Sequence, residues 1–218
     1  MNTSSFERHW IPRIMLVLHA VGVAGILAGY GTYFLDFTAA NLFINGLLAM
    51  WADWGHRHWT WIAAFLGGLA VEIIGVQTGV LFGSYAYGSV LGPMVAGVPV
   101  ILGMLWWISL MGCGHWTDRF MRWRNWSPSG LQGTLLRAIV AATLMTAFDG
   151  LIEPVALQAG WWNWEGGEVP GFNYVCWWAI SFGFYLLPRK TGENIGTGLL
   201  VGIFVCFFVF LNWFPWTR

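Results

Sequence analysis

The sequence predicts an all-α integral membrane protein, a polytopic helical bundle with about seven transmembrane helices. Of its 218 residues, 57% are hydrophobic and only 9% are charged, and the mean hydropathy is +0.62. Several apolar runs approach the roughly 20 residues that a helix needs to cross a bilayer. The first run begins near Ile14 and is too long for the apolar core of a signal peptide, so we expect it to be a retained helix.

Seven apolar runs define the predicted helices, which form one transmembrane domain over residues 1–218. The second run is short, and its Asn41 and Asn45 are expected to hydrogen-bond between helices. In the third and fifth runs an acid is followed seven residues later by glycine and then by aromatics, which suggests a weak parallel repeat of residues 59–112 and 131–187. The predicted helices are about 14–35, 37–52, 59–81, 94–112, 131–156, 172–187 and 195–214.

Basic residues predict the orientation of the chain. If the N-terminus is cytoplasmic, nine of the ten lie on the cytoplasmic side and only Arg218 lies outside, as the positive-inside rule requires. We expect a bacterial cytoplasmic membrane. The net charge is zero, so no nucleic acid is expected as a partner. The nine inner residues are Arg8, Arg13, Arg57, Arg119, Arg122, Arg124, Arg137, Arg189 and Lys190.

Three carboxylates, Glu72, Asp149 and Glu153, lie inside predicted helices, and no Lys or Arg lies at a comparable depth. An ionised acid at a helix centre costs about 2.5–3.5 kcal/mol on insertion scales. Asp149 and Glu153 share one helix face and repel each other when both are charged, so we expect at least one to be protonated. A protonated carboxyl is a general acid, and an ionised neighbour is a general base. The plainer interpretation, acids that only hydrogen-bond between helices, stays open.

Several functions use acids in a membrane. The spacing of Asp149 and Glu153 resembles the magnesium motifs of prenyltransferases, but the outer half lacks the Lys and Arg that bind pyrophosphate. A retinal protein needs a lysine in a helix, and Lys190 lies in a predicted turn. A proton channel or transporter stays open. Acid chemistry on a membrane-dissolved alkene fits best, because aromatic faces stabilise a carbocation that must be shielded from random quenching.

Neither a disulfide framework nor a metal site is expected. The three cysteines form no C-x-x-C pair and are expected to pack as buried thiols. The histidines near the cytoplasmic side offer no converging third metal ligand. These residues are Cys113, Cys176 and Cys206, and His19, His56, His58 and His115.

Two long stretches resemble the membrane-integral carotenoid hydratases of bacteria and archaea. They are 72-EIIGVQTGVLFGSYAYGSVLGPMVAGVPV-100 and 148-FDGLIEPVALQAGWWNWEGGEVPGFNYVCWW-178. The matching elements are E-x-x-G-x-x-T-G-x-x-F-G-x-Y-x-Y, L-G-x-x-x-x-G-V-P, and D-x-x-x-[DE]-P followed by W-x-W and V-P-x-x-N. The resemblance covers most of the chain from the third predicted helix to the sixth.

The resemblance implies hydration of the 1′,2′ double bond at the acyclic ψ end of a carotenoid, such as γ-carotene or a lycopene derivative. It implies neither a cofactor nor a metal. Glu72, Asp149 and Glu153 fall on the family's acidic positions. At the position of Glu153 the family commonly has Asp. The expected partners are a membrane-dissolved carotenoid, water, lipid and other enzymes of the same pathway. The residues expected to bind the substrate are Tyr85, Tyr87, Trp162, Trp164, Asn173 and Trp177.

Two alternatives to hydration stay open at this point. A lycopene-cyclase-like enzyme would use the same acids but would lose a proton instead of gaining water. A non-catalytic carotenoid-binding protein would leave the pigment unchanged. Analysis of the pigment produced separates all three functions, because hydration adds the mass of water, cyclisation gives an isomer of the same mass, and binding leaves the pigment unchanged.

Overall fold

The computed structural model describes residues 5–126, 128–188, 194–214 and 216, and helices make up most of this part of the chain. The all-α fold class is therefore confirmed. The helices are α1 (Ser5–Gly25), α2 (Gly31–Asp36), α3 (Thr38–Asp53), α4 (Trp59–Thr78), α5 (Ile101–Trp123), α6 (Gly130–Ala159), α7 (Gly171–Tyr185) and α8 (Ile195–Trp213). Four short strands are β1 (Tyr85–Tyr87), β2 (Met94–Val95), β3 (Val98–Pro99) and β4 (Trp162–Trp164).

The first predicted helix, 14–35, is broken into two parts. A wider π-helical turn, Ile26–Tyr30, joins α1 to α2. Gly29 lies inside this turn with φ of +88°, a left-handed conformation that glycine adopts without the steric cost of a Cβ atom. The chain therefore changes direction near one end of the bundle instead of continuing straight.

The fourth predicted helix, 94–112, has the wrong bounds at both ends. Residues 94–99 form β2 and β3, which pair antiparallel with Val95 opposite Val98. Ala96 and Gly97 turn the chain with φ of +49° and +80°, so a helix cannot begin before them. At the other end α5 continues to Trp123, because polar residues extend the helix beyond the apolar run that marked it in the sequence.

The two helices that carry the acids end in the same way. Gly79 follows α4 and Gly160 follows α6, both in the left-handed conformation that commonly ends a helix. A strand follows each of them, and β1 pairs antiparallel with β4. The predicted repeat stays a prediction, but its two parts share this local order. Pro154 lies inside α6 and does not end it.

The core of the bundle is built around α5, which packs against α3, α4, α6, α7 and α8. Its Trp106 and Ile108 are completely buried. At one end of the bundle Arg137 of α6 forms an ion pair with Asp118 of α5, with 2.7 Å between Nε and Oδ1. The strands lie at the opposite end of α4 and α6. Some of the basic residues that predict the orientation lie outside the described residues: Arg189, Lys190, Arg218 and the side chain of Arg8.

Four segments within the described residues are long and apolar enough to cross a membrane: His9–Asp36, Trp59–Thr78, Gly130–Ala159 and Ile195–Trp213. Of the other helices, α3 and α7 have 16 and 15 residues, fewer than the roughly 20 that span a bilayer. The last turns of α5 carry Asp118, Arg119 and Arg122. The protein therefore has the character of a membrane protein, with four segments that span by length and composition.

The predicted polar contact between helices is present for Asn41, which lies on α3 with its Nδ2 3.5 Å from Nε2 of His19 on α1. Asn45 instead donates within α3, to the Asn41 side chain over 2.9 Å. Among the cysteines, Cys113 and Cys176 are buried as expected, whereas Cys206 is exposed on α8, so the expectation of a buried thiol is wrong there.

We expect Asp53→Ala to destabilise the fold, because Asp53 caps the N-terminus of α8. Its buried carboxylate accepts bonds from the backbone N–H groups of Gly196 and Thr197, at 2.7 and 2.9 Å, and from the Thr197 hydroxyl at 2.9 Å. Losing a helix cap costs about 1–2 kcal/mol. Thermal unfolding in detergent measures the change, with Asp36→Ala at an exposed carboxylate as the control. Equal unfolding temperatures for the two variants would contradict the capping role.

Candidate active site

The ribbon formed by β1 and β4 places four aromatic side chains over the two acid-bearing helices. Tyr85 is opposite Trp164, and Tyr87 is opposite Trp162. Side chains two residues apart on a strand point to the same face, so all four rings are directed to one side. The rings of Tyr85 and Trp164 have centroids 4.9 Å apart, and those of Tyr87 and Trp162 are 5.9 Å apart. The O–H and N–H groups of these rings all bind carboxylates.

Glu72 on α4 is held by three uncharged donors. The hydroxyl groups of Tyr85 and Tyr87 donate to its Oε2 over 2.6 and 2.8 Å, and the indole N–H of Trp106 donates to its Oε1 over 2.9 Å. The Glu72 side chain is almost completely buried. Donors bound to a buried carboxylate replace the water that burial removes, so this arrangement is suited to an ionised Glu72.

Two glycines on α4 make room for these donors. Gly68 lies one turn before Glu72, where a Cβ atom would overlap the Trp106 side chain. Gly75 lies one turn after Glu72, where a Cβ atom would come within 2.8 Å of the Tyr85 hydroxyl. Residues three and four positions apart lie on the same face of a helix. On the face of α4 that carries Glu72, the positions one turn before and one turn after it therefore have no side chain to block the donors.

The two tyrosines of β1 remain protonated donors. Burial, and after it the negative charge of Glu72, raise the pKa of the Tyr85 hydroxyl. The same two causes in the same order raise the pKa of the Tyr87 hydroxyl. Neither phenol ionises at physiological pH, so both continue to donate hydrogen bonds to Glu72.

The two acids of α6 share one amide. Nδ2 of Asn173, which is buried near the start of α7, lies 3.1 Å from Oδ2 of Asp149 and 3.3 Å from Oε1 of Glu153. Glu153 also accepts the indole N–H groups of Trp162 and Trp164, over 2.9 and 3.2 Å. Glu153 therefore has three donors. Among the described residues Asp149 has one side-chain donor, Asn173, and shares it.

All three carboxylates line one small cavity between α4, α5, α6, α7 and the ribbon. The centres of water molecules can occupy about 30 Å³ of it. By this measure one water needs roughly 10–15 Å³, so there is room for about two. No Lys or Arg of the described chain lines it. The remaining wall is apolar and includes Trp177, whose ring stacks on Trp106 with centroids 4.2 Å apart. The cavity can hold a few small polar molecules or groups among acids.

The structure brings every sequence-predicted site residue to this cavity. The acids come from two helices that are distant in sequence, and the ribbon, Asn173 and Trp177 complete the wall. Sequence reasoning missed Trp106, which binds Glu72, and Ser109, which lines the cavity one helical turn further along α5. The segment around Trp106 reads as an apolar run, so nothing in it distinguishes Trp106 from its neighbour Trp107.

Comparison with known protein families gives one match. Residues 30–213 match the family described as carotenoid biosynthesis protein, which is far more than half of the chain. The chain belongs to the carotenoid biosynthesis protein family. No curated protein and no solved structure gives a significant match. The matched range includes the three acids and the whole β1–β4 ribbon of this carotenoid biosynthesis protein.

Two adjacent tryptophans on α5 test the role of the Glu72 donors in this carotenoid biosynthesis protein. Trp106 and Trp107 are both buried, but the Trp107 indole N–H has no partner within the described chain. We expect Trp106→Phe to lower the free energy of unfolding by about 1–3 kcal/mol more than Trp107→Phe, because it removes a hydrogen bond to a charged group.

The measurement is thermal or denaturant unfolding of both variants in the same detergent. A Glu72→Gln background supplies the control, since the difference between the two variants should shrink when the carboxylate is gone. Equal destabilisation in both backgrounds would show that the Trp106 hydrogen bond contributes nothing specific.

Proposed function

We propose that this protein is a carotenoid hydratase that adds water across the terminal 1′,2′ double bond of an acyclic ψ end group. One observation carries the proposal: three carboxylates converge on a water-sized cavity that no described basic side chain lines. Membership of the carotenoid biosynthesis family supports a pigment as the substrate. Protonation of an alkene needs a strong acid group in a dry site, and the uncharged surroundings of these acids favour that chemistry.

The hydrogen bonds suggest which carboxyl group is the acid. Glu72 and Glu153 each accept three donors, which favours their ionised forms. Among the described side chains, Asp149 accepts a hydrogen bond only from the Asn173 amide, which it shares with Glu153. The ionised form of Asp149 is therefore the least stabilised of the three. We assign Asp149 as the general acid and Glu72 as the carboxylate that orients water, with Glu153 as a second ionised neighbour.

The reaction then proceeds in two steps. The carboxyl proton of Asp149 adds to C2′, the π electrons form the new C–H bond, and C1′ becomes a tertiary cation. A water molecule attacks C1′ through its oxygen and gives up a proton to Glu72. That proton returns to Asp149 before the next turnover, so the net change is the addition of one water. The faces of Trp162, Trp164 and Trp177 are suited to stabilise the cation.

The size of the acid cavity suits the water that the proposed hydration requires. The cavity next to Asp149 has room for about two water molecules. An attacking water can therefore lie within reach of the carboxylates.

We expect Asp149→Asn to abolish hydration, because an amide cannot deliver the proton. A general acid contributes roughly 10²–10⁴-fold to a rate, so the product should fall at least about a hundredfold. Glu72→Gln should lower the yield less, because the ionised Asp149 that remains after protonation can accept the proton of the attacking water instead. The measurement is mass spectrometry of pigments after co-expression with a γ-carotene or lycopene pathway, with the exposed Asp36→Asn as the control.

Labelled water sharpens this experiment. Conversion of an unlabelled pigment in oxygen-18 water should place the oxygen label in the tertiary alcohol, and conversion in deuterium oxide should place deuterium at C2′. A cyclic product without oxygen would refute hydration in favour of a cyclase. Unaltered pigment in the wild-type strain would point to a binding protein or a proton transporter, and full activity of Asp149→Asn would exclude Asp149 as the acid.

We further propose that the bundle crosses a bacterial cytoplasmic membrane seven times, with α1 and α2 as one span and the N-terminus inside. Three basic residues lie at the end of the bundle opposite the ribbon, which supports this orientation: Arg57 in the α3–α4 connection, Arg122 on α5 and Arg137 on α6. We expect a cysteine introduced at exposed Arg57 to react only with reagents that cross the membrane.

A cysteine at exposed Asn163 of β4 is the matched partner, and it should react with impermeant maleimide in intact cells. The native cysteines are first replaced by serine or alanine. Reaction of the Arg57 position from outside, or of both positions from one side, would contradict the proposed orientation.

A further inference from the structure

A second, much larger cavity lies next to the acid cavity. It lies between α1, α2, α3, α5 and α8. The centres of water molecules can occupy about 420 Å³ of it. The acid cavity, with about 30 Å³, is too small to hold more than a fragment of any substrate. A molecule that reacts at the acids must therefore place most of its length elsewhere.

The two cavities share one wall. Leu102 and Leu105 of α5, Ile152 of α6 and Trp162 of β4 line both of them. Ile152 precedes Glu153 in the chain, and Trp162 donates to Glu153 over 2.9 Å. The side chains of this wall therefore lie between the large cavity and the carboxylates.

The lining of the large cavity fits a long, flat hydrocarbon. No Asp, Glu, Lys or Arg of the described chain lines it, and its polar side chains are few. One of these, His19, is occupied by a 2.8 Å bond to the Met15 carbonyl and by its contact with Asn41. Aromatic rings make up much of the rest, and they stack well on a conjugated chain. The aromatic residues are Tyr33, Phe34, Phe37, Trp161, Trp162, Phe204, Phe207 and Phe208.

The cavity is open towards the side of the bundle. Val21, Tyr33, Phe37 and Ile44, which line it, are each about half exposed. They come from α1, α2, the α2–α3 junction and α3, the segments on either side of the break at Gly29. In a membrane this opening faces lipid, so an apolar substrate enters from the bilayer without crossing water.

We propose that this large cavity is the binding channel for the conjugated chain of the polyene, which enters laterally between α1–α2 and α3 and places its terminal double bond at the wall shared with the acids. The inference rests on the proposed hydratase function for the identity of its occupant. The location of the channel is independent of that function, because the cavity binds a long polyene whether or not the polyene reacts.

Two substitutions fill the channel without touching the acids. A Cβ atom added at Gly22 would have a ring carbon of Phe207 as its nearest neighbour, 4.0 Å away. The ring of Gly22→Phe therefore extends into open space. Ala40→Phe does the same from α3, where Ala40 also lines the cavity. Gly183→Phe is the matched control, because Gly183 is exposed on α7 and nothing lies within 4 Å of its Cβ position.

Each protein is purified from a lycopene-producing bacterium, and the bound pigment is measured by its visible absorption per mole of protein. Because the new ring takes space that the polyene needs, we expect Gly22→Phe and Ala40→Phe to retain about tenfold less pigment than the wild type. The control should retain wild-type amounts. Elution volume and unfolding temperature in detergent show that each variant is folded.

The outcomes separate the channel from the reaction. Wild-type pigment content in both filled variants, or a wild-type protein that retains no pigment, overturns the channel. If pigment is lost from the filled variants while the wild type makes no alcohol, the channel stands and the hydratase function fails. If the filled variants still make the alcohol at the wild-type rate, the function stands and the channel is wrong.

Discussion

The interaction on which the rest of the structure depends is the solvation of three buried carboxylates by uncharged donors. Each acid sits in an apolar bundle, where an unsatisfied polar group costs several kcal/mol. No described Lys or Arg lines their cavity, so Tyr hydroxyls, Trp indoles and one Asn amide replace water. The β1–β4 ribbon, the glycines beside Glu72 and the buried position of Trp106 all follow from the need to bring these donors to the acids.

Uncharged donors have a chemical consequence that basic partners lack. An Arg or Lys beside a carboxylate would keep it ionised and would leave it unable to deliver a proton. Neutral donors can be distributed unequally, and here they are: Glu72 and Glu153 each accept three of them, whereas Asp149 shares one with its neighbour. This inequality divides a group of similar residues into candidate acid and candidate bases.

Sequence reasoning located the acids because a carboxylate in an apolar helix is conspicuous, and Asp149 and Glu153 had to share a face of one helix. That Glu72 joins them depends on the pairing of β1 with β4, a contact between distant segments that the sequence patterns do not reveal. Trp106 could not be predicted, since its role is set by a neighbouring helix and not by its own segment. The strands at 94–99 were missed because an apolar run of that length does not separate strand from helix; the backbone turn at Ala96 and Gly97 decides it.

Two adjoining cavities of very different size would solve a problem that the proposed hydration of a polyene creates. Such a substrate requires a long dry surface, yet its co-substrate is water, and free water along the polyene would weaken binding and quench a cation at random. A large apolar cavity beside a small acidic one separates these demands, because the described carboxylates that line these cavities, Glu72, Asp149 and Glu153, all line the small one. Under the proposed function, the shared wall at Ile152 and Trp162 is where alkene, acid and water meet. The position of that wall, more than the acidity of any one residue, would determine which double bond of the chain reacts.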